Sequence, residues 1–309
     1  MDLFAVTTRP IAYQSRNDPH DRRLGDVIRH DVAGYQAAEI VILGCPQDEG
    51  VRRNGGRIGA AAGPAAIRAA LARLGVAGLE QLTICDLGDT QIQPELEATH
   101  SVHQQLVQQV IADSKLLIVF GGGNDISYPD CAGLAAAAGP LLAFNIDAHY
   151  DVRADQPANS GTPYCQLLSE GILKPQQFVE LGSQPFANSP TYTTYLQEQG
   201  VRMIGLRQIR ARGLERTLDI AFEDRRWRHL LGLDIDVVRA ADAPGVSAPN
   251  PLGMSGEEFC LIAEIAGGEP RTRLIEISEV NPQYDIDGRT ARLAATAIWH
   301  ALAAYAARR

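Results

Sequence analysis

From residue 40 onward the chain alternates short apolar runs with Ala-rich amphipathic segments, and this alternation restricts the fold more than any other feature. A short run that is apolar throughout must be covered on both faces, and helices returning between successive runs provide that cover. The pattern is that of βα units around a mostly parallel sheet. Strands are expected at residues 39–45 (EIVILGC), 82–86, 116–120 (LLIVF), 140–147 (PLLAFNID), 178–181, 201–205, 228–236 (containing LLGLDID) and 274–277. Helices are expected at 64–74, with Pro64 in the first turn, at 99–113, where Val102, Leu106, Val110 and Ile111 recur at helical spacing, and at 290–307. With no repeat, linker or break in composition, residues 1–309 read as a single domain. Residues 1–35 form a polar extension that wraps the surface or contacts another subunit.

Composition narrows the partners. The 309 residues carry 37 acidic against 28 basic side chains, a formal charge of −9, which disfavours sequence-independent binding to nucleic acid or anionic lipid. No stretch approaches the roughly 18 to 20 apolar residues that span a bilayer, and the first residues lack the layout of a secretory signal. The expected setting is cytoplasmic and the expected partner a small molecule. The cysteines Cys45, Cys85, Cys131, Cys165 and Cys260 are odd in number and scattered, with no CxxC pair, so reduced thiols are expected; Cys165 is the one candidate for an exposed, reactive thiol.

Chemistry concentrates where strands end. The run closing at Phe120 leads through GGG to Asn124 and Asp125. The run closing at Asp147 delivers Asp147, His149 and Asp151, and the run near Ile235 delivers Asp234 and Asp236. In an open parallel sheet ligands bind outside the carboxyl ends of the strands, so these groups are expected to converge. Strand alternation would put Asp147 with His149, and Asp234 with Asp236, on common sides. A single Asp after a strand ordinarily caps the next helix. DAHYD and DID together, each after an apolar run, point instead to metal binding. Four carboxylates, one imidazole and one amide suit Mn²⁺ better than a thiolate-seeking zinc, and four negative charges match two divalent ions. Gly121 to Gly123, with Gly55 and Gly56, would let backbone approach the cleft closely. No GK[ST] follows the GGG run, so it is no phosphate loop.

These residues also carry a resemblance. The stretches DEGVRRNGGRIGAAAGPAAIR (48–68), GGGND (121–125), NIDAHYDVR (145–153), SGTPY (160–164), LDIDVV (233–238), APGVSAP (243–249) and EVNPQYDIDGRTARLAA (279–295) resemble the ureohydrolase (arginase and agmatinase) superfamily, most closely its formimidoylglutamase branch. The resemblance covers residues 40–300. It implies a three-layer α/β/α arginase-like fold with a central, mostly parallel sheet of about eight strands. It also implies a binuclear manganese centre, with Asn124, Asp147, Asp151 and Asp234 around one ion and Asp147, His149, Asp234 and Asp236 around the other. Trimers or hexamers are common among such proteins, so a homo-oligomer is expected.

The implied reaction is hydrolysis of N-formimino-L-glutamate to L-glutamate and formamide, a step of histidine degradation, by hydroxide shared between the ions. Asp151 would relay the proton and Glu279 would bind the cationic formimino nitrogen. Arg153 is the first candidate for the substrate carboxylates, followed by Arg57 and Arg289, with Ser160 and Thr162 in the matched substrate loop. Ser160 stands where guanidine-cleaving relatives carry His, which favours the formimidoylglutamase branch. Gly232 stands where the family more often has Ser. The alternatives are another guanidino or amidino substrate, in the manner of agmatinase or guanidinobutyrase, or a metal-poor, non-catalytic member of the fold. Asn124 replaces the usual His, and an amide oxygen is the weaker donor, so the ion on its side should be held less tightly. Asn124→His is therefore expected to tighten Mn²⁺ binding at one of two sites in a calorimetric titration; an unchanged affinity would count against Asn124 as a ligand.

Overall fold

The computed structural model describes residues 2–10, 13–224 and 226–308. Nine strands form one sheet: β1 (Thr7–Thr8), β2 (Ile40–Cys45), β3 (Ile84–Thr90), β4 (Leu116–Gly121), β5 (Leu141–Ile146), β6 (Phe178–Leu181), β7 (Arg202–Ile204), β8 (Arg228–Asp234) and β9 (Thr272–Ser278). Their spatial order is β1-β3-β2-β4-β9-β8-β5-β6-β7. Eight of them run parallel, and β1 pairs antiparallel with β3 at one edge. The mixed α/β architecture with a mostly parallel central sheet is as the sequence implies; the ninth strand is the two-residue edge strand from the polar N-terminal segment.

Alternate residues of each strand feed two separate cores. Ile40, Ile42, Ile118, Phe120, Phe144, Leu231, Leu233, Ile275 and Ile277 pack on one face with residues of the helices Gly63–Leu71, Leu214–Ala221, Gly256–Gly268 and Arg289–Ala307. Val41, Leu43, Leu117, Val119, Leu141, Ala143, Leu230 and Leu274 pack on the other, with the helices Leu96–Ala112, Ser127–Ala138 and Pro163–Ser169. Burial on both faces is why these runs carry no polar alternation. The N-terminal segment joins this body: Leu24 is fully buried, and its backbone N–H donates to Leu74 O. Among the described residues no helix is long and apolar enough to cross a membrane.

The functional consequence of the strand order is that β4, β9, β8 and β5, far apart in sequence, are consecutive neighbours. Parallel strands lie about 4.8 Å apart, so four carboxyl ends open onto a patch only about 15 Å wide. The turn after β4 is set by close backbone approach: Gly122 N donates to Cys45 O and Gly123 N to Gln47 O, and any Cβ at Gly122 would collide with the Gln47 carbonyl. Gly55 has φ +72° with open space around it, so it serves a left-handed turn and not a close approach. Gly122→Ala should lower stability in urea by about 1–3 kcal/mol, the usual cost of overpacking, because backbone and not a flexible side chain has to yield.

Candidate metal centre

β4 ends at Gly121, and Gly122 and Gly123 lead into a short 3₁₀ turn, Asn124–Ile126. β5 stops at Ile146, β8 at Asp234 and β9 at Ser278. Strand alternation therefore does not align the Asp–His and Asp–Asp pairs, because each pair extends past its strand. A turn does the work. Asp147 Oδ1 accepts from His149 N at 2.8 Å, and Asp234 Oδ1 accepts from Asp236 N at 2.9 Å. In both, a carboxylate closes a local ring over the residue two positions on, the habit that makes Asp a turn residue.

Two sets of donors result. Asp147, His149 and Asp236 form one, and Asp147, Asp151 and Asp234 the other; within each set the ligand atoms lie within 4.8 Å of one another. Asp147 belongs to both, whereas Asp234 falls in the second alone. Asn124 joins the second set through Asp151, its Nδ2 donating to Asp151 Oδ2 at 2.5 Å. His149 Nδ1 is 3.3 Å from Asp147 and 3.4 Å from Asp236, and its side chain, like Asp151 in the other set, is partly exposed. Glu279 is anchored by one oxygen, Oε1 accepting from Asn124 N at 3.0 Å, while Oε2 is buried without a partner, as is Asp236 Oδ1. Asp151 (φ +50°) and Glu279 (φ +64°) both sit in the left-handed backbone region. For residues other than Gly this costs of order 1 kcal/mol or more and is retained where the site over-determines it.

Crowded, desolvated carboxylates resist ionisation together. Burial, then the charge of Asp236, pushes Asp147 up to about 6. Burial, then Asp147, pushes Asp151 up to about 7. Burial and Asp236 raise Asp234 and Glu279 well above the carboxylate range. Asp236 draws the His149 imidazolium strongly upward. A cluster of hard oxygen donors with one imidazole, unpartnered buried oxygens and mutually repelling charges fits two divalent cations of the Mn²⁺ type.

The remaining candidates are placed differently. Arg153 is exposed and close enough to Asp151 to lower its pKa, and no hydrogen bond of its guanidinium is found among the described residues. Ser160 Oγ accepts from Asn54 Nδ2 at 3.0 Å, and the Thr162 hydroxyl is bonded inside its own loop to Asn159. The Arg57 guanidinium binds the carbonyls of Val246 and Ser247 and lies over the Tyr284 ring. Arg289 donates to Ala241 O and lines a surface depression that shares no residue with the carboxylate sets. Asp125 accepts from Gln47 and stands 2.7 Å from His100 Nε2, outside both sets. Burial raises the half-buried Cys165 thiol, so it is no activated thiolate. A cavity of about 830 Å³ lies between the N-terminal segment and the helix Gly63–Leu71 and holds none of these groups.

Two residues inside strands were missed from the sequence. Asn145 Nδ2 donates to Glu180 Oε2 at 3.0 Å and lies 3.4 Å from Asp147 Oδ2, supporting Asp147 from behind. The available signal was an acid within an apolar strand, FVEL, fully buried at Glu180.

Sequence and shape comparisons agree with this geometry. Residues 38–304 match the arginase family. The chain is 35% identical to a formimidoylglutamase of Cupriavidus pinatubonensis, over 97% of this chain and 99% of that one. In shape it is similar to a Trypanosoma cruzi formiminoglutamase solved with Mn²⁺ (TM-score 0.88, 33% identity, covering 94% of this chain and all of that one). It is also similar to the formimidoylglutamase of Bacillus subtilis (TM-score 0.87, 28% identity, 95% of each chain). The chain belongs to the arginase family of hydrolases. Within that family, the relatives just named are formimidoylglutamases.

The raised carboxylates set a pH dependence. Between about pH 4 and 7 the metal-stripped folded protein retains protons on Asp147 and Asp151 that the unfolded chain has released, so its stability falls as pH rises through that window. The raised His149 acts in the same direction above its ordinary value. Divalent cations bound among these carboxylates would displace the protons. The melting temperature of stripped protein should therefore drop from pH about 5.5 to about 8, and the rise produced by Mn²⁺ should be larger at the higher pH.

Proposed function

We propose that the chain hydrolyses N-formimino-L-glutamate to L-glutamate and formamide, a step in the breakdown of histidine, with two Mn²⁺ ions held by Asp147, His149, Asp234 and Asp236 on one side and Asn124, Asp147, Asp151 and Asp234 on the other. The observation that carries this reading is Asp147 common to two donor sets with the unpartnered Glu279 Oε2 buried in the same cluster. The names of the relatives support the substrate. When bound, the ion pair supplies Lewis acidity, bringing the pKa of a shared water toward neutrality and offsetting charge in the transition state.

The chain's own residues supply the rest. Glu279 is held through Oε1 by the Asn124 N–H, which leaves Oε2 to accept from the cationic formimino nitrogen; the substrate's charge restores the ionised form that burial opposes. Asp151, which stands beside Asn124 and shares a donor set with Asp147 and Asp234, would take a proton and return it to the leaving amine. Arg153, exposed beside Asp151, is available for a substrate carboxylate, which its fork can hold bidentately. Arg57 and Arg289 instead tie loops together through backbone carbonyls, and Thr162 closes its own loop. The ion on the Asn124 side is the more weakly held, because its amide replaces an imidazole.

Formamide release from N-formimino-L-glutamate in Mn²⁺, assayed beside urea release from agmatine and 4-guanidinobutyrate, tests the substrate; turnover of a guanidine and not of the formimino compound would overturn it. Glu279→Gln should cut kcat/KM for the formimino substrate by about 10- to 100-fold, the range expected for one lost charge-assisted hydrogen bond, with both Mn²⁺ ions still bound.

A further inference from the structure

A buried polar chain runs beneath Asn124 and takes no part in the reaction described above. Ser278 Oγ lies 2.8 Å from Asn124 Oδ1, and Ser127 Oγ lies 3.2 Å from the same oxygen and 2.8 Å from Glu276 Oε1. The Glu276 carboxyl meets that of Asp130. Asp130 Oδ1 is 3.0 Å from His103 Nε2, and His103 Nδ1 is 2.7 Å from Thr90 Oγ1. None of the six residues along this path, Ser278, Ser127, Glu276, Asp130, His103 and Thr90, is more than 1% exposed. So long a buried polar path is costly unless every member is satisfied.

Counting protons along the path fixes its polarity. Burial lowers His103 to about 3, so the ring is neutral: it donates one N–H to Asp130 and accepts from the Thr90 hydroxyl. Two carboxyls in contact, Asp130 and Glu276, hold one proton between them and leave one negative charge. Ser127 has a single hydroxyl proton and two acceptors competing for it, Asn124 Oδ1 and Glu276. The shorter contact to the charged carboxyl pair wins. Ser127 therefore turns a lone pair toward Asn124, and a lone pair calls for N–H, not for C=O.

The amide of Asn124 can present either end by half a turn about its last bond, with its two heavy atoms exchanging places. With Nδ2 toward Asp151 it satisfies that carboxylate but sets its oxygen against Ser127. With Oδ1 toward Asp151 its two N–H groups meet Ser127 Oγ and Ser278 Oγ. That second arrangement brings two oxygens together and is stable only with a cation between them. Hydroxyls suit both states because each can donate or accept.

We propose that Ser127, oriented by Glu276 and Asp130, turns the Asn124 amide so that its oxygen faces a divalent cation, and that Ser127, Ser278 and Glu276 are positioning residues for that ion. The bias compensates from below for an amide standing where an imidazole would bind more strongly. The inference rests on Asn124 being a ligand, and the test separates the two claims.

Metal-stripped protein is titrated with Mn²⁺ by calorimetry and by the electron paramagnetic resonance of free and bound ion. Wild type should take two ions per chain, and Asn124→Ala should weaken one. Ser127→Ala should weaken the same ion by on the order of tenfold, the cost of one buried N–H left unpaired, with the other ion bound as in wild type. Ser278→Ala, which removes the other acceptor, should behave alike. Glu276→Gln should keep wild-type affinity, since Asp130 draws its amide nitrogen and its oxygen still accepts from Ser127, whereas Glu276→Leu should reproduce Ser127→Ala. If Ser127→Ala and Ser278→Ala both bind two ions as wild type does while Asn124→Ala loses one, the positioning role is overturned and the ligand role stands. If Asn124→Ala also binds two ions unchanged, both are overturned.

Discussion

Mutual repulsion among buried carboxylates is the constraint on which the rest of this structure depends. Asp147, Asp151, Asp234, Asp236 and Glu279 stand at the carboxyl ends of adjacent strands, each between fully buried and 5% exposed except Asp151, and each of the four with a resolved shift is raised chiefly by burial. Such a cluster is tolerable only with protons or cations in it. The fold meets the repulsion with rigidity: one oxygen each of Asp147, Asp234 and Glu279 is bound by a backbone N–H, so the carboxylates cannot swing away from one another. The strain at Asp151 and Glu279 is the backbone's share of the same cost.

Behind the cluster, the sheet carries a transverse polar row. Glu180, Asn145, Gly232 and Glu276 are register partners on four adjacent strands, β6, β5, β8 and β9. They replace apolar residues on the face covered by the helix Ser127–Ala138. Asn145 and Glu180 support Asp147, and Glu276 supports Asn124 through Ser127. Gly232 leaves room in the middle of the row, where an added Cβ would lie 3.1 Å from the Tyr164 hydroxyl. This row links the two halves of the site across strands remote in sequence.

Much of this was legible in the chain, unevenly. Most strand expectations fell close to the observed bounds because double-sided burial leaves runs such as LLIVF and PLLAF with no polar residue to blur them, whereas 82–86 overlaps only the start of Ile84–Thr90 and the edge strand Thr7–Thr8 was not foreseen. The helix Ser127–Ala138 (SYPDCAGLAAAA) escaped because small residues all round give no polar stripe, and the helix Gly256–Gly268 escaped although its Ser255 and Glu258 form a capping box. The donors Asp147, His149, Asp151, Asp234 and Asp236 were legible because acids directly after apolar runs are unusual, and structure brings them together. Thr162, Arg57 and Arg289 show the limit. Motif membership cannot reveal whether a hydroxyl or guanidinium faces a cleft or, as here, hydrogen-bonds loop backbone.

Local pattern alone determined the α/β layering, the ends of the strands and the chemistry of the groups placed there, since periodicity and residue type act over a few positions. Only the tertiary structure decided which strands are neighbours. The order β4-β9-β8-β5 is a matter of crossover topology, written in no single segment, and it sets Asn124, Glu279, Asp234 and Asp147 side by side. It alone also revealed that Glu276 and Ser127, 149 residues apart, share a hydrogen bond beneath the site. An acid inside an apolar strand announces that it needs a partner, but the partner is chosen by packing.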